Sequence, residues 1–411
     1  MADVAEHVAR RSYGKLLAFL AARYRDLAGA EDALAEAFAA ALETWPRTGA
    51  PLSPEAWLLT TARRKMIDAG RKTRSGADAM PHLQLLSEEL ADLAAAHNAI
   101  PDRRLALMFT CAHPAIDEAV RAPLILQTLL GFDAAMIASA FLVSPKTMAQ
   151  RLVRAKAKIR NAGIPFRVPD RDELSDRLPP VLDAIYAMFA EGWSDPAGLD
   201  IGRRNLTEEC IWLGRLLISL LPDEPEAMGL LALMLYAEAR RAARRDAKGG
   251  FVPLGEQDMR QWDDAMIAEA EDVLQRAGSL ARPGRFQLEA AIQSTHAARR
   301  HHGATDWPAI ERLYGALMVL SPSPVIAINH AVALAEAHGF AEGLVALDLA
   351  SADPRLADYQ PYWAARARVL EGVGQMVEAH DAYTRAIGLE SDPAVREFLQ
   401  QKRDRLGVRL Q

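Results

Sequence analysis

Apolar side chains recur along this chain at the spacing of an α-helix, and that periodicity constrains the fold more than any other feature. In AEDALAEAFAAALETW, Leu34, Phe38, Leu42 and Trp45 fall on one stripe that is expected to be buried, while Asp32, Glu36 and Glu43 share another face. Ala and Leu are abundant, hydrophobic residues make up 50% of the sequence, and the β-branched runs that favour strands are scarce. The expected fold class is therefore all-α. A chain of 411 residues exceeds what one core usually organises, so two or three domains are expected.

Charge is divided unevenly along the chain. Residues 1–165 carry 21 Lys and Arg against 17 Asp and Glu, whereas the remainder carries 27 against 37, within a formal net charge of -6. A basic first part suggests a polyanionic partner; an acidic, Leu/Ala-rich second part suggests protein contacts or self-contacts. Two cysteines, Cys111 and Cys210, cannot staple a chain of this size, and MADVAEHVARRSY lacks the apolar core of a signal peptide. The longest apolar stretch, IWLGRLLISLL at 211–221, is interrupted by Arg215 and is too short to span a bilayer. A cytoplasmic location and no membrane partner are expected.

Two segments concentrate the positive charge. After the turn-forming PRTGAPLSP, the helix AWLLTTARRKMIDAGRK becomes basic toward its end, where Arg63, Arg64, Lys65, Arg71, Lys72 and Arg74 lie within twelve residues beside one acid, Asp68. Alone, such a run is more often a solvated face than a nucleic-acid site. The stretch SGADAMPHLQLLSEELADLAAAHNAI has no basic residue and reads as a linker. The second basic segment, SPKTMAQRLVRAKAKIR at 144–160, has its own punctuation: Gly131 ends an earlier helix, Asp133 caps the next, and Ser144 caps the last with Pro145 at its first position. Met148, Leu152, Ala155 and Ile159 form an apolar stripe opposite Thr147, Gln150, Arg151, Arg154 and Lys158, with Lys156 and Arg160 at its flanks, placed to solvate it or to touch phosphates. The short helix DAAMIASAF precedes it across an LVS turn. Two short helices, a tight turn and a second helix that is basic outside are the content of a helix-turn-helix unit. Arg and Gln read base edges through paired hydrogen bonds, while Lys and Thr suit phosphates.

In this order, AEDALAEAF, AWLLTTARRKMID, a linker and TMAQRLVRAKAKIR, the chain resembles an extracytoplasmic-function RNA polymerase sigma factor of the subgroup with a long helical C-terminal extension. FTCAHPAID, LLPDEPEAMGLLALMLYAEARRAAR and SPSPVIAINHAVALAEAHG extend the resemblance over nearly the whole chain. It implies sigma domain 2 at 1–75, a linker at 76–100, sigma domain 4 at 101–165, a helical middle domain at 166–282 and a tetratricopeptide-like repeat domain at 283–411. It implies core RNA polymerase as partner, through the β′ clamp helices and the β flap, together with promoter DNA. Asp32 and Glu36 would contact the polymerase, although Ala35 stands where many members have Gln. Arg63, Arg64, Lys65 and Arg71 would hold phosphates of the −10 element, and Arg47, in the loop, would approach an unstacked base. Lys146, Thr147, Gln150, Arg151, Arg154 and Lys158 would face the −35 element.

The acidic part is expected to form helices near 174–192, 205–221, 225–245 and 258–277, with FVPLGEQD as a loop. IERLYGALMVLSPSP and AHDAYTRAIGLESDP both place Leu six and Pro ten residues after Tyr314 and Tyr383, and Gly339 and Gly374 lie 35 residues apart, close to the tetratricopeptide period of about 34. Such arrays bind a protein or peptide partner on a concave surface. The resemblance implies a built-in regulator, whose acidic charge would mask the basic domains. Cys111 and His113 in FTCAHP lack the spacing and further ligands of a zinc site and read as a buried turn. His301 and His302 complement a helix end. Glu191, Gly192 and Trp193 read as a structural motif. No phosphate-cradling Gly loop and no nucleophile motif occur, so neither catalysis nor a cofactor is expected. A stand-alone helix-turn-helix regulator with a sensing repeat domain is the competing reading.

Overall fold

The structure, a computed structural model, describes residues 2–73, 103–140, 143–193 and 201–409. The segment read as a linker, 76–100, and Arg74 lie outside the described residues. Among the described residues there are eighteen α-helices and no strand, only an isolated antiparallel bridge between Arg245 and Phe251. The chain divides into two compact units, Met1–Met188 and Phe189–Gln411.

The first unit holds α1 (Ala2–Tyr24), α2 (Leu27–Thr48), α3 (Pro54–Thr73), α4 (Arg104–Cys111), α5 (Glu118–Leu130), α6 (Ala134–Ala140), α7 (Pro145–Ala162) and most of α8 (Arg171–Trp193). Its spine is α1, whose Leu16, Leu17, Leu20 and Ala21 are buried. This helix packs on α2 and α3 and also on α4 and α5, so segments that read separately in the sequence share one core. The approach is close at Gly14, where a Cβ would stand 2.5 Å from the Leu129 carbonyl oxygen of α5. Local signals set the ends of the helices. Gly131 and Gly163 take the left-handed conformation that closes α5 and α7, Asp133 accepts from the Ala135 N–H, and Ser144 accepts from the Thr147 N–H with Pro145 at the first position of α7. One expectation fails: Leu42 is 51% exposed, and the buried stripe of α2 runs instead through Leu34, Ala37, Ala41 and Trp45. Alanines fill that stripe between the larger Leu34 and Trp45.

The second unit begins with α9 (Ile201–Leu220) and α10 (Pro225–Glu238). Helix α10 is apolar all round and buried from Pro225 to Tyr236 except at Glu226, so it must be enclosed by other helices. It packs against α9, α11 (Asp264–Ser279) and α12 (Arg285–His302). Gly229 permits the closest of these contacts: a Cβ there would lie 2.5 Å from the Gln287 backbone nitrogen. The one polar group in the first turn of α10 is used, since the Glu226 carboxylate accepts from the Phe286 and Gln287 N–H groups and caps α12. The expected helix 225–245 stops at Glu238, followed by a 3₁₀ turn at Arg241–Arg244, and the expected helix 258–277 starts only at Asp264, capped by Asp263. Four arginines at positions 240, 241, 244 and 245 would repel one another along a continuous helix, which favours the break.

Helices α13 (Trp307–Leu320), α14 (Pro324–His338), α15 (Phe340–Ala350), α16 (Gln360–Val373), α17 (Met376–Leu389) and α18 (Pro393–Arg409) follow, each packed on the next. The shared Tyr, Leu and Pro spacing marks equivalent corners: Leu320 and Leu389 end helices, and Pro324 and Pro393 begin the ones that follow. Gly339 and Gly374, both at positive φ, make the turns into α15 and α17. Among the described residues no helix is long and apolar enough to cross a membrane.

Two predictions test the packing of the second unit. Gly229→Val should lower unfolding stability by about 1–3 kcal/mol in a urea titration, because the added carbons meet backbone rather than a side chain that can swing away. His296 of α12 packs edge-on against Trp307, and burial, reinforced by Arg240 and Arg299, pulls its pKa down to about 4. The unfolded chain takes up this proton near pH 6.5. Stability should therefore fall as the pH drops from about 6.5 toward 4, and His296→Gln should flatten that part of the stability profile.

Candidate nucleic-acid interface

Helix α7 has a firm back and an unoccupied front. Met148, Leu152, Ala155 and Ile159 are buried, which fixes the rotation of the helix about its axis. Lys146, Gln150, Arg154 and Lys158 are exposed and Arg151 is half-buried. Among the described residues none of these five side chains is engaged in an ion pair or hydrogen bond. Thr147 differs: its hydroxyl shares a 2.8 Å hydrogen bond with Ser144 Oγ and so belongs to the cap of the helix. Val153 lies between Gln150 and Arg154 on the same front and is 64% exposed. The sequence reading passed over it, although a valine outside the apolar stripe of a basic helix is a visible signal.

The second group of expected residues lies on α2 and α3. Asp32 and Glu36 are exposed on α2, as are Arg64 and Lys65 on α3. Lys65 Nζ is 2.8 Å from Glu36 Oε2, so an expected polymerase contact and an expected phosphate contact neutralise each other. Both ends are about half-exposed, and solvent leaves such a pair little net stabilisation. Arg63 turns inward toward Tyr24 of α1. The reading of Arg47 as a loop residue is corrected: α2 continues through Pro46 to Thr48, and Arg47 Nε donates to the Glu43 carbonyl in the last turn. Proline is tolerated there because the helix is ending and Gly49, at φ 84, closes it on the Trp45 carbonyl. Arg71 is on α3, with its side chain outside the described residues.

The two groups are joined by a contact the sequence did not announce. Lys156 of α7, expected to solvate the stripe or touch phosphates, reaches α2, where its Nζ is 2.5 Å from Glu31 Oε2; the two side chains are only 14% and 13% exposed. Burial raises the Glu31 pKa and the Lys156 charge opposes that rise. Arg160, one turn on, is 4.0 Å from Asp26. The positions are informative in hindsight: Lys156 borders the stripe between Leu152 and Ile159, and Glu31 follows the buried Ala30. Beneath this contact Cys111 is fully buried with its thiol pushed up to about 12 by desolvation, and His113 Nδ1 accepts from the Ala115 N–H inside its turn.

Comparison with known proteins assigns two regions. Residues 8–76, which include most of α1 and all of α2 and α3, match Sigma-70 region 2, and residues 177–278 match a family of unknown function, DUF6596. An uncharacterized protein of Rhizobium meliloti (strain 1021) is 40% identical over 392 residues, covering 94% of this chain and 92% of its own. No solved structure matches the chain.

A double-mutant cycle on the buried pair checks the link between α2 and α7. Lys156→Met and Glu31→Leu should each destabilise the first unit by about 2 kcal/mol, since each strands the partner's charge in a poorly solvated place. The double substitution to Met and Leu should recover most of that loss in chemical denaturation.

Proposed function

We propose that this chain, which belongs to the extracytoplasmic-function-like sigma factors with a long C-terminal extension, docks on core RNA polymerase through α2 and brings it to promoters read by α7. The observation that carries the reading is the front of α7, where Lys146, Gln150, Arg151, Arg154 and Lys158 project without partners from a helix locked by its buried stripe. Gln150 and Arg151 would read base edges, Val153 would meet a thymine methyl, and the lysines would hold phosphates. On α2 and α3, Asp32 and Glu36 would meet the clamp helices while Arg64, Lys65 and Arg71 follow the −10 strand. Arg47 and Arg63 are weaker candidates, because each has an internal partner.

This function requires the first unit to open. The −10 and −35 elements are roughly 25 base pairs apart, about 85 Å along the duplex. A compact body the size of this unit has a radius of gyration of about 16 Å and cannot touch both. The Lys156–Glu31 pair and its neighbour Arg160–Asp26 would then hold a resting form, and opening would release Lys156 and Arg160 toward DNA. The extension, with its acidic excess and tetratricopeptide-like helix pairs, is the candidate regulator of that step.

Transcription in vitro with core polymerase on a library of genomic promoters tests the reading. Promoter-specific transcripts are expected, and Gln150→Ala or Arg151→Ala should change promoter preference about tenfold or more at individual base positions. Uniform loss on all promoters would leave α7 a merely cationic surface, and tight duplex binding without core polymerase would point to a stand-alone regulator instead. Removing residues 194–411, which leaves α8 on the first unit, should change transcript levels; unchanged levels would dismiss a regulatory extension.

A further inference from the structure

In the second unit, five arginines lie near one another, and among the described residues two of them form ion pairs. Arg241 pairs with Glu238 at 2.7 Å and Arg245 with Asp392 at 2.5 Å. Arg240, Arg244 and Arg299 are half-buried and, among the described residues, have no carboxylate within ion-pair distance. Their hydrogen bonds go to uncharged acceptors. Arg240 donates to the Tyr236 carbonyl and to Gln293 Oε1, Arg244 to the Trp193 carbonyl, and Arg299 to the Leu254 and Gly255 carbonyls. Donors remain beyond these, since Arg241 Nη1 and Arg299 Nε are buried without a partner. The groups act on one another: burial and then the charges of Arg244 and Arg299 bring Arg240 down to about 10, and Arg240 and Arg299 add to the burial that disfavours protonation of His296.

Guanidinium groups do not escape such a field by losing a proton at neutral pH. A folded chain that gathers three of them, half-buried, beside neutral acceptors is balanced when an anion completes the site. The arrangement is also pre-formed. The Arg244 guanidinium lies 4.1 Å from the centre of the Trp193 ring and Arg241 lies 5.2 Å from it, so the indole holds both forks in place, and the Trp262 ring does the same for Arg299 at 5.5 Å. Planar forks match the oxygens of phosphate or carboxylate. No carboxylate acts on Arg240 or Arg299, and Arg244 feels Asp392 and Glu238 only from beyond ion-pair distance; the remaining excess of positive charge favours a group carrying more than one negative charge, such as phosphate.

We propose that Arg240, Arg244 and Arg299, cradled by Trp193 and Trp262, form a binding site in the C-terminal extension for a small phosphate-bearing ligand. The site stands independently of promoter recognition. It gives a sensing role to Trp193 and to the arginine-rich turn that interrupts the helix after Glu238.

Thermal unfolding of the full chain tests this with inorganic pyrophosphate, a nucleoside diphosphate, citrate, and sodium chloride at matched ionic strength. Pyrophosphate should raise Tm saturably and well beyond the chloride control. An equal response to the nucleoside diphosphate assigns recognition to the phosphates alone, and a stronger one adds a contact to the base or sugar; both support the site. Arg244→Lys, which keeps the charge but loses the fork, should weaken the response at least tenfold in concentration. Arg240→Gln should abolish the response while leaving the anion-free Tm equal or higher, because an uncompensated charge has been removed. A wild-type response no greater than chloride, a response to citrate alone, or an anion-free Arg240→Gln protein that unfolds at lower Tm yet keeps its full pyrophosphate shift would overturn the proposal.

Discussion

The first unit depends on one close approach. Because residue 14 has no side chain, α1 can settle on the last turn of α5 with its backbone nearly touching the Leu129 carbonyl. The same helix buries Leu16, Leu17 and Leu20 among its other neighbours. That contact joins the Sigma-70 region 2 helices to α5, on which α7 also packs. Apolar burial supplies most of the cohesion, but it is not selective about register. The Lys156–Glu31 pair is selective: it is satisfied only when α2 and α7 meet at one rotation and one height. A largely buried ion pair specifies geometry more effectively than it stabilises, which would suit the opening of this junction under the proposed function.

The second unit solves a different problem with similar means. Helix α10 has no polar face, so it must be surrounded, and Gly229 and the Glu226 cap bring α12 in close enough to do so. This places His296 and Arg299 of α12 beside the arginines that follow α10. The aromatic rings of Trp193 and Trp262, rather than carboxylates, then carry much of the burden of keeping those guanidinium groups ordered. A rigid apolar centre thus supports a polar cluster that would not assemble on a mobile loop.

What was legible in the sequence is what local chemistry decides. Gly131, Asp133, Ser144 and Pro145 announced the helix ends around α7 because caps act over three or four residues, and the Tyr, Leu and Pro spacing located corners in the C-terminal array for the same reason. The buried stripe of α7 could be read because its period is strict. The failures are nonlocal. Leu42 matched the helical period yet faces solvent, since periodicity does not tell which side a neighbour occupies. Arg47 followed a proline and looked like loop, but a helix ending one residue later absorbs the lost donor. Lys156 and Glu31 are 125 residues apart, and the arginine cluster draws on α8, the turn after α10, and α12. No window along the chain contains either set.

The contrast between α7 and the α2–α3 surface has a mechanistic consequence under the proposed function. The front of α7 is unpaired, so DNA meets it without displacing anything. Lys65 and Glu36, however, satisfy each other across α2 and α3. A phosphate that takes Lys65 leaves Glu36 in search of a cation, and a polymerase side chain that takes Glu36 frees Lys65. Either event lowers the cost of the other. Since the pair is half-exposed and contributes little to stability, exchanging it is easy, and the gain comes from both partners being present together. Under the proposed function, contact with polymerase and contact with the promoter strand would in this way be coupled through one surface ion pair between α2 and α3.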